Sequence, residues 1–95
     1  MPAYYVLEYQ TVNDFINRRA PFRAEHLQLV HGAHQRGEIA WAGALGDPPD
    51  GALLVFHGEK ASVAEEFART DPYVINGLVV EWRVRPWHLV VSGER

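Results

Sequence analysis

The 95-residue sequence predicts an α+β fold in which one antiparallel sheet carries two helices on one face. Three observations lead there. Short stretches rich in aromatic and β-branched residues recur along the chain. Two segments of helical periodicity separate them. Between two neighbouring apolar stretches lies GDPPDG at 46–51, strong turn chemistry that reads as a hairpin.

The elements follow in order. AYYVLEY, 3–9, fits a first strand, being aromatic and β-branched. Asn13 or Asp14 can cap a helix start. Pro21 suits a first turn, so the main helix is expected from near Ala20 to about Arg36. Gly37 stops it as a left-handed cap. Phe22, His26, Leu29, Val30 and Ala33 recur at helical spacing and form its inner face. EIAWAGAL, 38–45, and LLVFH, 53–57, read as strands two and three, joined by a loop longer than two residues. SVAEEFART, 62–70, pairs Ser62 with Glu65 in a capping-box pattern and opens a short helix. In LVVEWRV, 78–84, Leu78, Val80, Trp82 and Val84 alternate with more polar neighbours, as in a half-buried strand. Pro86 ends that strand or forces a bulge. WHLVV can add a short terminal strand, and SGER is expected to fray. The order β-α-β-β-α-β is the ferredoxin-like split βαβ.

The length fits a single domain over 1–95. With 47% hydrophobic residues the chain can fold without staples. The absence of cysteine excludes disulfides, thiolate metal sites and a cysteine nucleophile. The formal charge is −3, and no basic run exists, so nucleic acid is not an expected partner. No apolar run has membrane-span length, and the N-terminus lacks signal-peptide character. A soluble cytoplasmic protein is expected. Strands two and three are apolar on both faces: Ile39, Trp41 and Leu45 against Ala40, Ala42 and Ala44, and Leu53 and Val55 against Leu54 and Phe56. Helices cover one sheet face only, so the other calls for a cover, and a second copy of the chain supplies one.

Candidate chemistry rests on histidines and carboxylates. His26 lies on the apolar stripe of the main helix, one turn after Arg23. It can serve as a general acid or base, or simply be a core histidine with one hydrogen bond. Asp71 precedes Pro72, so its backbone must be extended. Its carboxylate can orient an imidazole, or merely cap a turn. His31 and His34 share a helix face but are too few for a metal site, and His57 and His88 stand alone. No metal is expected. Trp41, Trp82 and Trp87 read as core or interface aromatics.

Taken together, RAEHLQLV (23–30), GEIAWAGAL (37–45), GALLVF (51–56), EEFARTDPYVINGL (65–78) and VRPWHL (84–89) resemble the YciI-like, or YCII-related, family. The resemblance covers most of the chain in order. It implies the dimeric α/β-barrel version of the ferredoxin-like fold and a small enzyme with His26 and Asp71 as its active pair. Arg23 is then an anion binder, and Tyr73 is expected at the pocket edge. Relatives include a dehydrochlorinase of a chlorinated hydroxyhydroquinone and, more distantly, muconolactone isomerase. The expected function is a lyase or isomerase without cofactor, moving a proton on a small cyclic or aromatic-derived substrate. The alternative is a non-catalytic dimer that binds a small ligand or regulates a partner. Haem binding, known among distant relatives, finds no axial ligand marked by spacing.

Overall fold

The computed structural model describes residues 4–91. Strand β1 is Tyr4–Thr11, a short helix α1 is Phe15–Arg18, and a 3₁₀ turn spans Ala20–Phe22. Then come α2 (Arg23–Gln35), β2 (Ile39–Gly46), β3 (Pro49–His57), α3 (Ser62–Thr70), the one-turn α4 (Pro72–Ile75) and β4 (Val79–Trp87). The four strands form one antiparallel sheet in the order β2-β3-β1-β4. The helices lie on one face, which is the ferredoxin-like arrangement. Among the described residues no helix is long and apolar enough to cross a membrane.

Burial follows strand alternation. Leu7 and Tyr9 from β1 and Leu54 and Phe56 from β3 point towards the helices. They meet Ala33 of α2, Ala64, Phe67 and Ala68 of α3, and Tyr73 of α4. Burying a side chain such as Leu7 or Phe56 contributes about 1.5–3 kcal/mol each. The opposite face carries Tyr4, Val6, Trp41, Leu45, Leu53, Val55 and Trp87 beside Glu8, Glu81, Arg83 and Arg85. Trp41, Leu45 and Trp87 each keep nearly half their surface exposed.

Several local expectations shift. The main helix begins at Arg23 rather than near Ala20, because Ala20, Pro21 and Phe22 form a separate 3₁₀ turn. The hairpin connection is only Asp47-Pro48, tighter than expected, with its peptide bond cis and Gly46 at φ +92°. Ser62 is the first helical residue, not the cap; Ala61 holds that position and makes no side-chain bond. Gly37 does end α2 in the left-handed region, at φ +78°.

Two register shifts reassign faces. Ile39 pairs with Phe56 and Trp41 with Val55, so Ile39 is in the core and Trp41 is on the open face. Gln10 pairs with Glu81 but Thr11 with Val79, so Val80 is the extra residue and is turned outward. Pro86 neither ends nor bulges β4, which is an edge strand with no further neighbour to miss its N–H. Residues 88–91 form no strand, and the expected frayed end at 92–95 lies outside the described residues.

Strand β1 runs close against β3 at Gly51, where a Cβ would stand 2.8 Å from the Tyr9 carbonyl oxygen. That atom is backbone within the sheet and cannot yield cheaply. Gly51→Ala is expected to destabilise the protein by about 1–3 kcal/mol, read as a lower midpoint in urea unfolding.

Candidate active site

Asp71 ends α3 and begins α4. Its backbone is extended, at φ −69° and ψ 124°, as the following proline requires. Its side chain turns inward and is fully buried. Three donors converge on it. Oδ1 accepts the Tyr73 backbone N–H at 3.0 Å and the His26 Nδ1–H at 2.8 Å. Oδ2 accepts the Tyr9 hydroxyl at 2.7 Å. The carboxylate is therefore both the cap of α4 and the partner of the imidazole. The two roles, alternatives in the sequence, coincide.

Each donor comes from a different part of the fold. Tyr9 stands on β1 in the core-facing phase with Leu7. His26 stands on the inner face of α2. Tyr73 is two residues on, and its own N–H closes the turn. With the carboxylate ionised, the Nδ1 bond fixes the imidazole proton on that nitrogen. Nε2 is left with its lone pair free, and no described protein group bonds it. The Tyr73 ring stacks on the imidazole with centroids 3.9 Å apart and planes 13° from parallel. Phe15 meets Tyr73 edge-on at 5.3 Å.

His26 lines a cavity of about 190 Å³ between the helix layer and the sheet. Arg23 and Tyr73 line it too, as do Arg19, Phe15, Thr11 and Tyr9. The sheet side is built from Ala42, Ala44 and Ala52, whose small side chains leave the space open. All four residues singled out in the sequence thus meet at one place: His26, Arg23 and Tyr73 on the wall, Asp71 directly behind. The remaining histidines are elsewhere: His31, His34 and His88 are exposed and His57 packs against Tyr4. Among the described residues no cluster of His, Asp and Glu has the makings of a metal site.

Tyr9 belongs to no motif that marks it in the sequence. Its only sequence signal is the alternation that turns it inward beside Leu7. Its phenol is pushed well above the ordinary tyrosine range by burial first, then by the Asp71 charge and hydrogen bond. It therefore stays a donor.

The sequence matches the YCII-related domain over residues 3–88. No curated protein matches it. Among solved structures it is similar to 5-chloro-2-hydroxyhydroquinone dehydrochlorinase from Burkholderia phenoliruptrix AC1100, in complex with 2,5-dihydroxybenzoquinone. That match has a TM-score of 0.73 and 18% identity, and covers 90% of this chain and 93% of the other. It is also similar to Rv0793 from Mycobacterium tuberculosis, with a TM-score of 0.56 and 12% identity, covering 99% of this chain and 100% of the other. At these identities the likeness establishes the fold.

Tyr9→Phe strips Oδ2 of its partner while keeping the ring. It is expected to cost about 1–3 kcal/mol near neutral pH, measured by urea unfolding. The pH dependence has a definite sign. The unfolded Tyr9 loses its proton near pH 10 while the folded one keeps it, so the unfolded state binds fewer protons above that pH. Stability should fall as pH rises beyond 10, and fall less steeply in Tyr9→Phe.

Proposed function

The chain belongs to the YCII-related family, and we propose that it is a small enzyme whose His26–Asp71 pair moves a proton on a small cyclic substrate without a cofactor. One observation carries this reading: His26 Nδ1 is 2.8 Å from a fully buried Asp71, and the imidazole lines a cavity. In such a site Nε2 takes a proton from a carbon beside a carbonyl, and the electron pair moves onto the carbonyl oxygen as an enolate. Asp71 stabilises the imidazolium that results. Arg23 offsets the enolate charge, and Tyr73 holds the imidazole plane. The pair of electrons then expels a leaving group, giving a lyase, or takes the proton back at another carbon, giving an isomerase. The likeness to a dehydrochlorinase supports the lyase branch.

The Asp71 network also ties β1, α2 and the α3–α4 turn together, and that favours a second reading. In it the network is structural and the chain is a non-catalytic small-ligand or regulatory module. Asp71→Asn separates the two. Its carbonyl oxygen can still accept at Oδ1 while its amide donates to the Tyr9 oxygen, so the site stays packed, the bond to Tyr9 reverses direction and the charge is removed. The enzyme reading expects a loss of turnover of about 10²–10⁴-fold in Asp71→Asn and in His26→Gln. The screen would use halogenated hydroquinones and unsaturated lactones. Ligand binding without turnover, unchanged in His26→Ala, would select the module.

The open sheet face supports a homodimer. Trp41, Leu45 and Trp87 are each nearly half exposed there, around the more covered Leu53 and Val55. A two-fold partner packed on this face would bury them. Leu53→Lys, at the centre of the face, is expected to convert the dimer to monomer in sedimentation velocity; a wild-type monomer would sink this part of the reading.

A further inference from the structure

We propose that the cavity takes a single-ring organic anion, and that Arg19, with Arg23, holds its charged end. The inference rests on this cavity being the working site, and adds the size and charge of what enters it.

Size comes first. A cavity of about 150 Å³ holds benzene, and this one is about 190 Å³. That is ample room for one six-membered ring with small substituents, the size of ligand proposed. The sheet wall of Ala42, Ala44 and Ala52 offers an apolar surface to the ring.

Charge comes second. Among the described residues two guanidiniums line the cavity and no carboxylate does. Among the described residues neither Arg19 nor Arg23 is within salt-bridge distance of an acidic group; Arg18, Lys60 and Arg69 are unpaired as well, but do not line the cavity. In a chain of net charge −3, two unpaired cations at one cavity are a local reversal of sign. A planar guanidinium matches a carboxylate or enolate oxygen better than it matches water.

Mounting comes third. The 3₁₀ turn Ala20–Phe22 connects the two arginines, which both line the cavity. The Arg19 guanidinium lies over the Phe15 ring at 5.4 Å. Phe15 abuts Tyr73, and Tyr73 stacks on His26. One aromatic row thus runs from the anion-holding cation to the imidazole. Along it the Tyr73 hydroxyl is buried beside the Arg23 guanidinium, which can only donate to it, so among the described residues its proton meets no acceptor, and the Thr11 hydroxyl in the same cavity is likewise unpartnered. Burial pushes the Tyr73 phenol up, and Arg23 and Arg19 pull against it, so both cations bear on that oxygen. An oxyanion drawn between the arginines supplies the acceptor this donor lacks. Arg23 is exposed and Arg19 partly so, so both cations can be reached from solvent.

The test titrates benzoate, benzamide and 2-naphthoate into the protein, following the backbone amide and side-chain NMR signals of His26 and Tyr73. Benzoate is expected to shift both, benzamide to bind at least about tenfold more weakly, and Arg19→Gln to weaken benzoate by about tenfold with little effect on benzamide. Arg19→Lys should recover part of the loss, which separates a charge effect from a folding defect. Naphthoate should not shift the two residues. Equal binding of benzoate and benzamide, no change in Arg19→Gln, or naphthoate binding as well as benzoate would each overturn the proposal. The titration is repeated in Asp71→Asn, where proton transfer is disabled. Binding there, together with no turnover of the halogenated hydroquinones and unsaturated lactones by the wild type, would sink the enzyme reading and leave the anion site standing.

Discussion

The Asp71 carboxylate is the constraint from which the rest of the site follows. A buried charge is costly unless its oxygens are hydrogen-bonded. Among the described residues no lysine or arginine pairs with it, and three donors satisfy it: a backbone N–H, a phenol and an imidazole. Each donor pins a different element, so β1, α2 and the α3–α4 turn must hold their relative positions for the charge to be tolerated. The same demand fixes the imidazole. Its Nδ1 edge is committed to Asp71 and its face to Tyr73, which leaves one ring nitrogen free for other chemistry.

The cavity exists because large and small residues are distributed unevenly between the layers. The helix side presents Phe15, His26 and Tyr73 as a packed aromatic row. The facing stretch of β2 and β3 presents Ala42, Ala44 and Ala52. Further along the same face, Ile39 and Phe56 fill the space and the core is closed. The turn through Ala20–Phe22 connects Arg19 and Arg23, which both line the cavity. A dry wall, a fixed imidazole and unpaired cations therefore meet within one small volume.

The sheet serves two surfaces at once. Its helix-covered face supplies the core and the cavity wall. Its open face is apolar over β2 and β3 and charged along β4, where Glu8 meets Arg83 at 2.6 Å. Exposed ion pairs of this kind contribute little to stability, but they divide the face into an apolar half and a polar half.

The sequence by itself determined the element order, the α+β class and the family, because those signals are local. Strand alternation, the helical stripe through His26 and Ala33, Gly37 at the end of α2 and Pro72 after Asp71 each act within a few residues. It also brought out His26, Asp71, Arg23 and Tyr73, two of them on a helical stripe and two beside a proline whose backbone demands were readable. Tertiary structure decided what those residues do to one another. The bond from His26 to Asp71 spans 45 positions and that from Tyr9 to Asp71 spans 62, distances over which no periodicity carries information. The two register shifts that send Trp41 and Val80 outward depend on the neighbouring strand, not on their own. Tyr9 and Arg19 remained hidden for the same reason. A tyrosine on a strand and an arginine in a turn are ordinary until the folded chain places a buried carboxylate beside one and a cavity beside the other.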